Sequence, residues 1–423
     1  MKILVLGSGA REHAIILALA AEGADHELFA APGNAGIGGD ATLVALDPND
    51  PAAVTMYANE HAIDLVVIGP EAPLVAGVAD ALRERGIPTF GPSQAAAQLE
   101  GSKAFAKRIM EAAGVPTGRA VRAHTIDEVA AALDELGAPH VVKADGLAAG
   151  KGVIVTDDRA AALAHAETYL PSGGVLVEEF LSGPEVSLFF VSDGDTVRAL
   201  SPAQDFKRAY DGDAGPNTGG MGAYSPLPWL AEAFGSEEAF VAEVTRTVAE
   251  PVVRRLDEEG TPFIGLLYAG LILTDRGIKV IEFNARFGDP ETQVVLARLA
   301  SPLSRLLLAA AGGHLEDEPQ PVFTDDAAVT VVVASEGYPE APVTGRVITG
   351  LDAAEQVEGV HLAHAATAEK DGQLVATGGR VLNVVAVADT FADAREAAYE
   401  AIARISLEGS HHRTDIAAGV VED

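Results

Sequence analysis

Residues 279–290, Lys-Val-Ile-Glu-Phe-Asn-Ala-Arg-Phe-Gly-Asp-Pro, restrict the chain more than any other stretch. Val280, Ile281 and Phe283 read as a buried strand. Successive side chains on a strand point to opposite faces, so Glu282 and Asn284 share one face, with Arg286 at its end. A carboxylate and an amide oxygen placed this way are hard ligands suited to Mg²⁺ or Mn²⁺. An arginine just beyond them can grip a carboxylate or phosphate through two parallel hydrogen bonds. On its own the segment fits a half-buried edge strand with a solvated polar face equally well.

Other segments shift that balance. Residues 141–155 are two β-branched runs around a glycine-rich tip, a hairpin pattern. The tip is not a P-loop: Gly146 and Gly150 enclose three residues, Gly152 follows Lys151 where Ser or Thr is required, and the flanks are strand and strand. Such a tip can still fold over phosphates, because glycine lets backbone N–H groups approach and Lys143 and Lys151 bring positive charge. Further on, Val175–Val177 lead through Glu178, Glu179, Phe180 and Leu181 to a polar turn before Glu185. A strand that breaks there exposes backbone groups able to pair with a base edge, and a carboxylate for ribose hydroxyls. Gly215–Gly222 holds four glycines with Asn217, Thr218 and Gly219; composition suggests a surface loop, whereas Met221, Tyr224 and the prolines suggest an ordered path.

Composition excludes several classes. The chain has 423 residues, enough for two to four compact units. It has no cysteine, hence no disulfide framework, thiolate nucleophile or thiolate metal site. It runs from Met1-Lys2 straight into a strand with no signal-peptide pattern, and no apolar run reaches a membrane span, so a cytoplasmic protein is expected. A formal charge of −33 argues against nucleic acid as a partner. Lysine is scarce, yet Lys103, Lys107, Lys143, Lys151, Lys207 and Lys279 all lie in the central part. Local positive charge can there oppose the global field and receive anions.

Residues 1–102 alternate strands and helices, which predicts a doubly wound parallel sheet. Its first loop is a near miss for a dinucleotide fingerprint: Gly7 and Gly9 fit, but Glu12 occupies the third glycine position. Ser102 is expected to open a helix from Lys103 to about Ala113, stopped by Gly114 and Pro116. Residues 103–326 form the expected central region, with a small flap unit at about 120–190, and 327–423 a small α+β region whose last helix is capped by Thr390.

In this order, Lys103, Lys143 with its glycine tip, Glu178-Glu179-Phe-Leu181 and Glu282-x-Asn284 resemble the ATP-grasp ligases. Longer motifs narrow the resemblance to the glycinamide ribonucleotide synthetase family: Gly7-Ser-Gly-Ala-Arg-Glu-His13, Gly69-Pro-Glu-Ala-Pro-Leu-Val75, Gln204-Asp-Phe-Lys-Arg208, Gly215–Pro226 and Ile281–Gln293. It runs nearly end to end. It implies a multidomain α/β and α+β fold with ATP-grasp central domains. The implied reaction joins glycine to 5-phosphoribosylamine at the expense of ATP, through glycyl phosphate, in purine biosynthesis.

By this resemblance Glu282 and Asn284 hold Mg²⁺ or Mn²⁺, and Lys103, Lys143, Gly150 and Lys151 serve the ATP phosphates. Glu178, Glu179 and Leu181 line the nucleotide site, and Glu185 takes the ribose. Asp205, Lys207, Asn217, Thr218 and Gly219 line the acceptor side; Gly9, Arg11 and Glu12 take the sugar phosphate; Arg286 holds glycine's carboxylate or the acyl phosphate. Arg286, Lys143 and Lys207 are the expected catalytic groups, in a monomer. The chain departs from the family at Phe206, where histidine is common, at Pro184, and in the loosened segment His364–Lys370. An ATP-grasp carboxylase or formyl-phosphate ligase would share the ATP half, but the 205–208 and 215–222 motifs speak against it. A non-catalytic nucleotide-binding protein would not need the metal pair.

Overall fold

The computed structural model describes residues 1–146 and 152–422. Gly150 and Lys151 therefore lie outside the described residues.

The N-terminal strands form one parallel sheet in the order Thr42–Leu43, Glu27–Pro32, Lys2–Gly7, Leu65–Ile68, Thr89–Phe90. Strand order reverses beside Lys2–Gly7, so the loops after Gly7 and Ile68 border the crevice where doubly wound sheets bind ligands. Both strands are almost wholly buried, as expected of a sheet covered on both faces.

Ser102 caps the helix Lys103–Ala113 by accepting from the Phe105 N–H at 3.1 Å, and Gly114 ends it with φ 67° in the left-handed region. The chain then enters a small antiparallel sheet ordered Ala120–Ala123, Val175–Glu178, His140–Ala144, Val153–Thr156. Helices Ile126–Leu136 and Arg159–Tyr169 pack on it through Val129, Leu133, Ala162 and Ala166. The hairpin pairs Lys143 with Val153, as the alternating β-branched runs predict.

The next sheet carries the metal-type motif. Its order is Val197–Ala199, Glu185–Asp193, Ile264–Thr274, Gly277–Asn284, all antiparallel. A last sheet runs Gln204–Asp205, Gly222–Ser225, Ala327–Ala334, Arg380–Ala388, Val360–His364. The expected boundary at 326/327 thus falls between strands of one sheet. Residues 204–225 are hydrogen-bonded into the C-terminal sheet while their side chains reach the central one. Ala214–Asn217 pairs with Arg208–Tyr210 as a two-stranded ribbon, so much of the glycine-rich stretch is ordered strand. Among the described residues, no helix is long and apolar enough to cross a membrane.

Candidate active site

Three neighbouring strands present one polar face. Register aligns Ser187, Gly270 and Glu282 in one row, and Phe189, Tyr268 and Asn284 in the next. Glu282 and Asn284 therefore do share a face, and Glu185 lies on it two residues before Ser187. A bulge between Gly270 and Leu271, invisible in the sequence pattern, shifts the register just below this pair. Gly270 makes room above it: a Cβ there would come within 3.3 Å of Glu282 Cγ.

Cations surround Glu282. Burial alone would raise its pKa, but Lys207, Lys143, Lys103 and Arg286 outweigh burial and hold the carboxyl below its ordinary value. Glu282 is thus kept ionised, as a metal ligand must be. The donor set of one carboxylate and one amide oxygen fits a hard divalent cation. Among the described residues no group of three His, Cys, Asp or Glu could form a cage, so such an ion would depend on phosphate oxygens and water for its other ligands. Mg²⁺ is commonly held that way.

On one flank, Lys143 is buried and pairs with Glu178 at 3.0 Å, while Lys107 reaches the same carboxylate oxygen at 3.4 Å. The carboxylate of Glu178 therefore positions two ammonium groups. Lys103 donates to the Gly146 carbonyl at 2.9 Å, which brings the start of the capped helix against the hairpin. Burial, the largest influence, lowers the pKa of Lys103, partly offset by Glu282. Glu179 has its N–H committed to the Arg119 carbonyl and its carboxylate to Arg276 and the Arg119 N–H. Nothing in the sequence pattern marks Arg276 as this partner. Leu181 is half-buried beside Gly118.

On the opposite side Lys207 bridges Glu185, in a close ion pair, and Asp205 at 3.9 Å. Burial disfavours the ammonium, yet Asp205, Glu185 and Glu282 more than compensate and raise its pKa. Asp205 is pushed up to about 7, first by burial, against Lys207 and with Glu291, Glu185 and Glu282 adding to the rise. Glu185, expected at the ribose, is therefore also the partner of Lys207. Thr218 donates its hydroxyl to the Lys207 carbonyl at 2.9 Å, and Asn217 pairs with Arg208 in the ribbon. Gly219 is held from both sides: its N–H donates to Tyr338 Oη at 3.1 Å and its carbonyl accepts from Arg380 at 2.6 Å. Arg380 also pairs with Asp289 at 2.9 Å.

Arg286 closes the site. It pairs with Glu100 at 3.2 Å and Glu71 at 3.7 Å, and its buried Nε makes no hydrogen bond among the described residues. Glu100 also accepts the Ala285 N–H at 2.7 Å, fixing the backbone beside the arginine. Nothing in the sequence pattern marks Glu100, because its contacts come from tertiary packing of the 98–101 helical turn on the Gly277–Asn284 strand.

The N-terminal loop is built around Glu12. Its carboxylate accepts from the Gly9 N–H at 2.6 Å and from Arg11 Nε at 2.6 Å, and Arg11 also donates to the Phe287 carbonyl at 3.2 Å. The carboxylate packs over Gly7 and Gly69, where an added Cβ would come within 2.6 and 2.1 Å of it. This explains the missing third glycine: Glu12 serves as the helix's own cap. Asn34 links the loop to the C-terminal region by donating to the Ser8 and His364 carbonyls at 3.0 and 2.7 Å.

This geometry can be set beside known proteins. Residues 1–100, 101–292 and 328–419 match the family profiles described as phosphoribosylglycinamide synthetase N domain, ATP-grasp (A) domain and C domain. The chain belongs to the phosphoribosylglycinamide synthetase family. A phosphoribosylamine–glycine ligase of Leifsonia xyli is 69% identical over 421 residues, covering 99% of this chain and 100% of that one. The Streptomyces coelicolor phosphoribosylamine–glycine ligase is 59% identical over 420 residues, covering 99% of each. The crystal structure of phosphoribosylamine–glycine ligase from Thermotoga maritima superposes with a TM-score of 0.80 at 35% identity, covering 98% of this chain and 100% of that one. A biotin carboxylase from Campylobacter jejuni, 14% identical with a TM-score of 0.71 over 100% of this chain and 95% of its own, shares the fold. Membership in the phosphoribosylglycinamide synthetase family carries with it the multidomain fold expected from the motifs.

Proposed function

We propose that the protein catalyses the ATP-dependent ligation of glycine to 5-phosphoribosylamine, in the cytoplasm, as a step of purine biosynthesis. The observation that carries this reading is the single polar face bearing Glu282 and Asn284, with Lys103 and Lys143 on one flank and Asp205, Lys207 and Arg286 on the other. A divalent ion held by Glu282 and Asn284 would neutralise charge on the ATP phosphates. Lys143 and Lys103 bind the phosphates and stabilise charge as the γ-phosphoryl group moves. Arg286, just beyond the Glu282–Asn284 pair, orients the glycine carboxylate.

A carboxylate oxygen of glycine attacks the γ-phosphorus and the bond to ADP breaks, giving glycyl phosphate. The amine of phosphoribosylamine then attacks the acyl carbon, phosphate leaves, and the amine loses a proton as the amide forms. Lys207 and the 217–219 segment line the path of the incoming amine substrate. No side chain needs to become acylated, which agrees with a site made of positioning and charge-stabilising groups.

Hydroxylamine traps acyl phosphates, so ATP, Mg²⁺, glycine and hydroxylamine without phosphoribosylamine should yield ADP and glycine hydroxamate. Ligation that proceeds normally while no hydroxamate forms at any hydroxylamine concentration would contradict the glycyl phosphate step.

A further inference from the structure

Phe206 lies between Asp205 and Lys207. Its backbone is fixed in the C-terminal sheet: its N–H donates to the Gly222 carbonyl at 2.9 Å and its carbonyl accepts from the Met221 N–H at 2.7 Å. Asp205 and Lys207 emerge together on the site side, 3.9 Å apart, so the ring between them points the other way. There it meets Arg413, whose guanidinium carbon sits 4.9 Å from the ring centroid.

Arg413 is 1% exposed and densely bonded. Nε and Nη2 donate to the two oxygens of Asp415 at 2.7 and 2.7 Å, and Nη1 donates to Asp213 at 2.7 Å and to the Arg208 carbonyl at 3.3 Å. Asp415 also accepts the Gly212 N–H at 2.8 Å, and Asp211 accepts the Thr414 N–H at 2.8 Å. The 413–416 segment is in turn anchored to the helix Phe391–Arg404: Tyr399 donates to the Arg413 carbonyl at 2.8 Å, and Arg395 to the Ile416 carbonyl at 3.1 Å. One guanidinium thus supports both the back of the Asp205–Lys207 segment and the turn that joins Arg208–Tyr210 to Ala214–Asn217.

We propose that Arg413 is a positioning residue for the acceptor side: by stacking on Phe206 and clamping the 211–213 turn, it fixes where Asp205 and Lys207 stand relative to Glu282. The proposal rests on the reading that Asp205 and Lys207 serve phosphoribosylamine. A planar fork is required, because a lysine ammonium can neither lie flat on the ring nor reach Asp415, Asp213 and the Arg208 carbonyl together.

The test compares Arg413→Lys, Phe206→Leu and their combination with the parent protein. Steady-state kinetics for each substrate, melting temperature and ATP affinity by titration calorimetry are measured. Each single variant should lower kcat/KM for phosphoribosylamine on the order of tenfold or more, since misplacement of this kind is costly, while ATP affinity stays unchanged. The double variant should lose little beyond the worse single one, because both break the same support. Losses shared equally by ATP and phosphoribosylamine and tracking the melting temperature would overturn the proposal as a merely structural effect. Lys207→Met separates the two readings. If it impairs phosphoribosylamine use while Arg413→Lys and Phe206→Leu do not, the positioning role is wrong and the acceptor-side reading stands. If Lys207→Met leaves phosphoribosylamine use untouched, the acceptor-side reading fails and takes the proposal with it.

Discussion

Replacing Lys143 with methionine keeps most of the apolar stem and removes the ammonium, which gives two effects of different size. The first is structural. Lys143 and Glu178 are both buried and 3.0 Å apart. Stranding one member of such a pair costs about 3–5 kcal/mol, but Glu178 keeps Lys107 at 3.4 Å, so the loss should be nearer ~1–3 kcal/mol. At roughly 2–4 °C per kcal/mol for a domain of this scale, the unit carrying the pair should melt several degrees lower and remain folded at 25 °C. The second effect is catalytic. Lys143 is one of the cations that hold Glu282 ionised, and it faces the proposed phosphates. Losing one preorganised charge contact to a transition state costs about 10²–10³ in kcat. Initial rates of ADP formation below the melting range, beside a thermal melt of the same sample, separate the two. A folded variant whose kcat stays within about threefold of the parent, well short of that loss, would refute the assignment of Lys143 to the phosphates.

Glu282→Gln removes the ligand charge without changing the strand pattern, and Asn284→Ala removes an oxygen ligand; each should cut turnover at limiting Mg²⁺ far more than it lowers the melting temperature. Near-normal rates in a Mg²⁺ titration would remove the metal assignment. Gly69→Ala would place a Cβ 2.1 Å from Glu12 Oε1, so the capping carboxylate must shift, and a destabilisation of about 1–3 kcal/mol is expected in a melt; an unchanged melt would show the Glu12 cradle to be loose. His361 and His364 are both pushed down to about 4, mainly by burial with His13 adding to it. The unfolded chain therefore takes up protons below about 6.5 that the folded one refuses, and stability from these two groups is lost as pH falls through that window. Asp205, pushed up to about 7, acts in the opposite sense, so the readout is a difference: the His361→Gln, His364→Gln variant should lose less stability than the parent between pH 7 and pH 5.

The sequence is most informative where periodicity and chemistry coincide. The alternation Glu282, Phe283, Asn284 places the two polar groups on one face by the two-residue period of a strand, and Ser102 with Gly114 brackets the helix by its capping chemistry. What stays hidden is set by tertiary contact. Glu100 and Glu71 flank Arg286 from the N-terminal region, and nothing local marks either as its partner. Glu291 is a buried carboxylate held by Tyr268 at 2.7 Å and Ser187 at 3.2 Å, and its influence on Asp205 arises only once three strands and a helix meet. In the Gly7–Glu12 loop a carboxylate from the helix's own first turn accepts the Gly9 N–H, a contact that the glycine pattern before the helix does not reveal. The stretch 204–225 was legible as a motif but not as a place, since its backbone belongs to one sheet and its side chains to the site beside another.

The central claim is that this face unites an ATP half with a half built for glycine and an amine-bearing sugar phosphate. The most direct measurement is ADP release from ATP and Mg²⁺ with glycine, bicarbonate or formate, each with and without phosphoribosylamine. The account predicts multiple-turnover ADP release with glycine and phosphoribosylamine together, and no stimulation by bicarbonate or formate. ADP release driven by bicarbonate or formate with no need for glycine would contradict it.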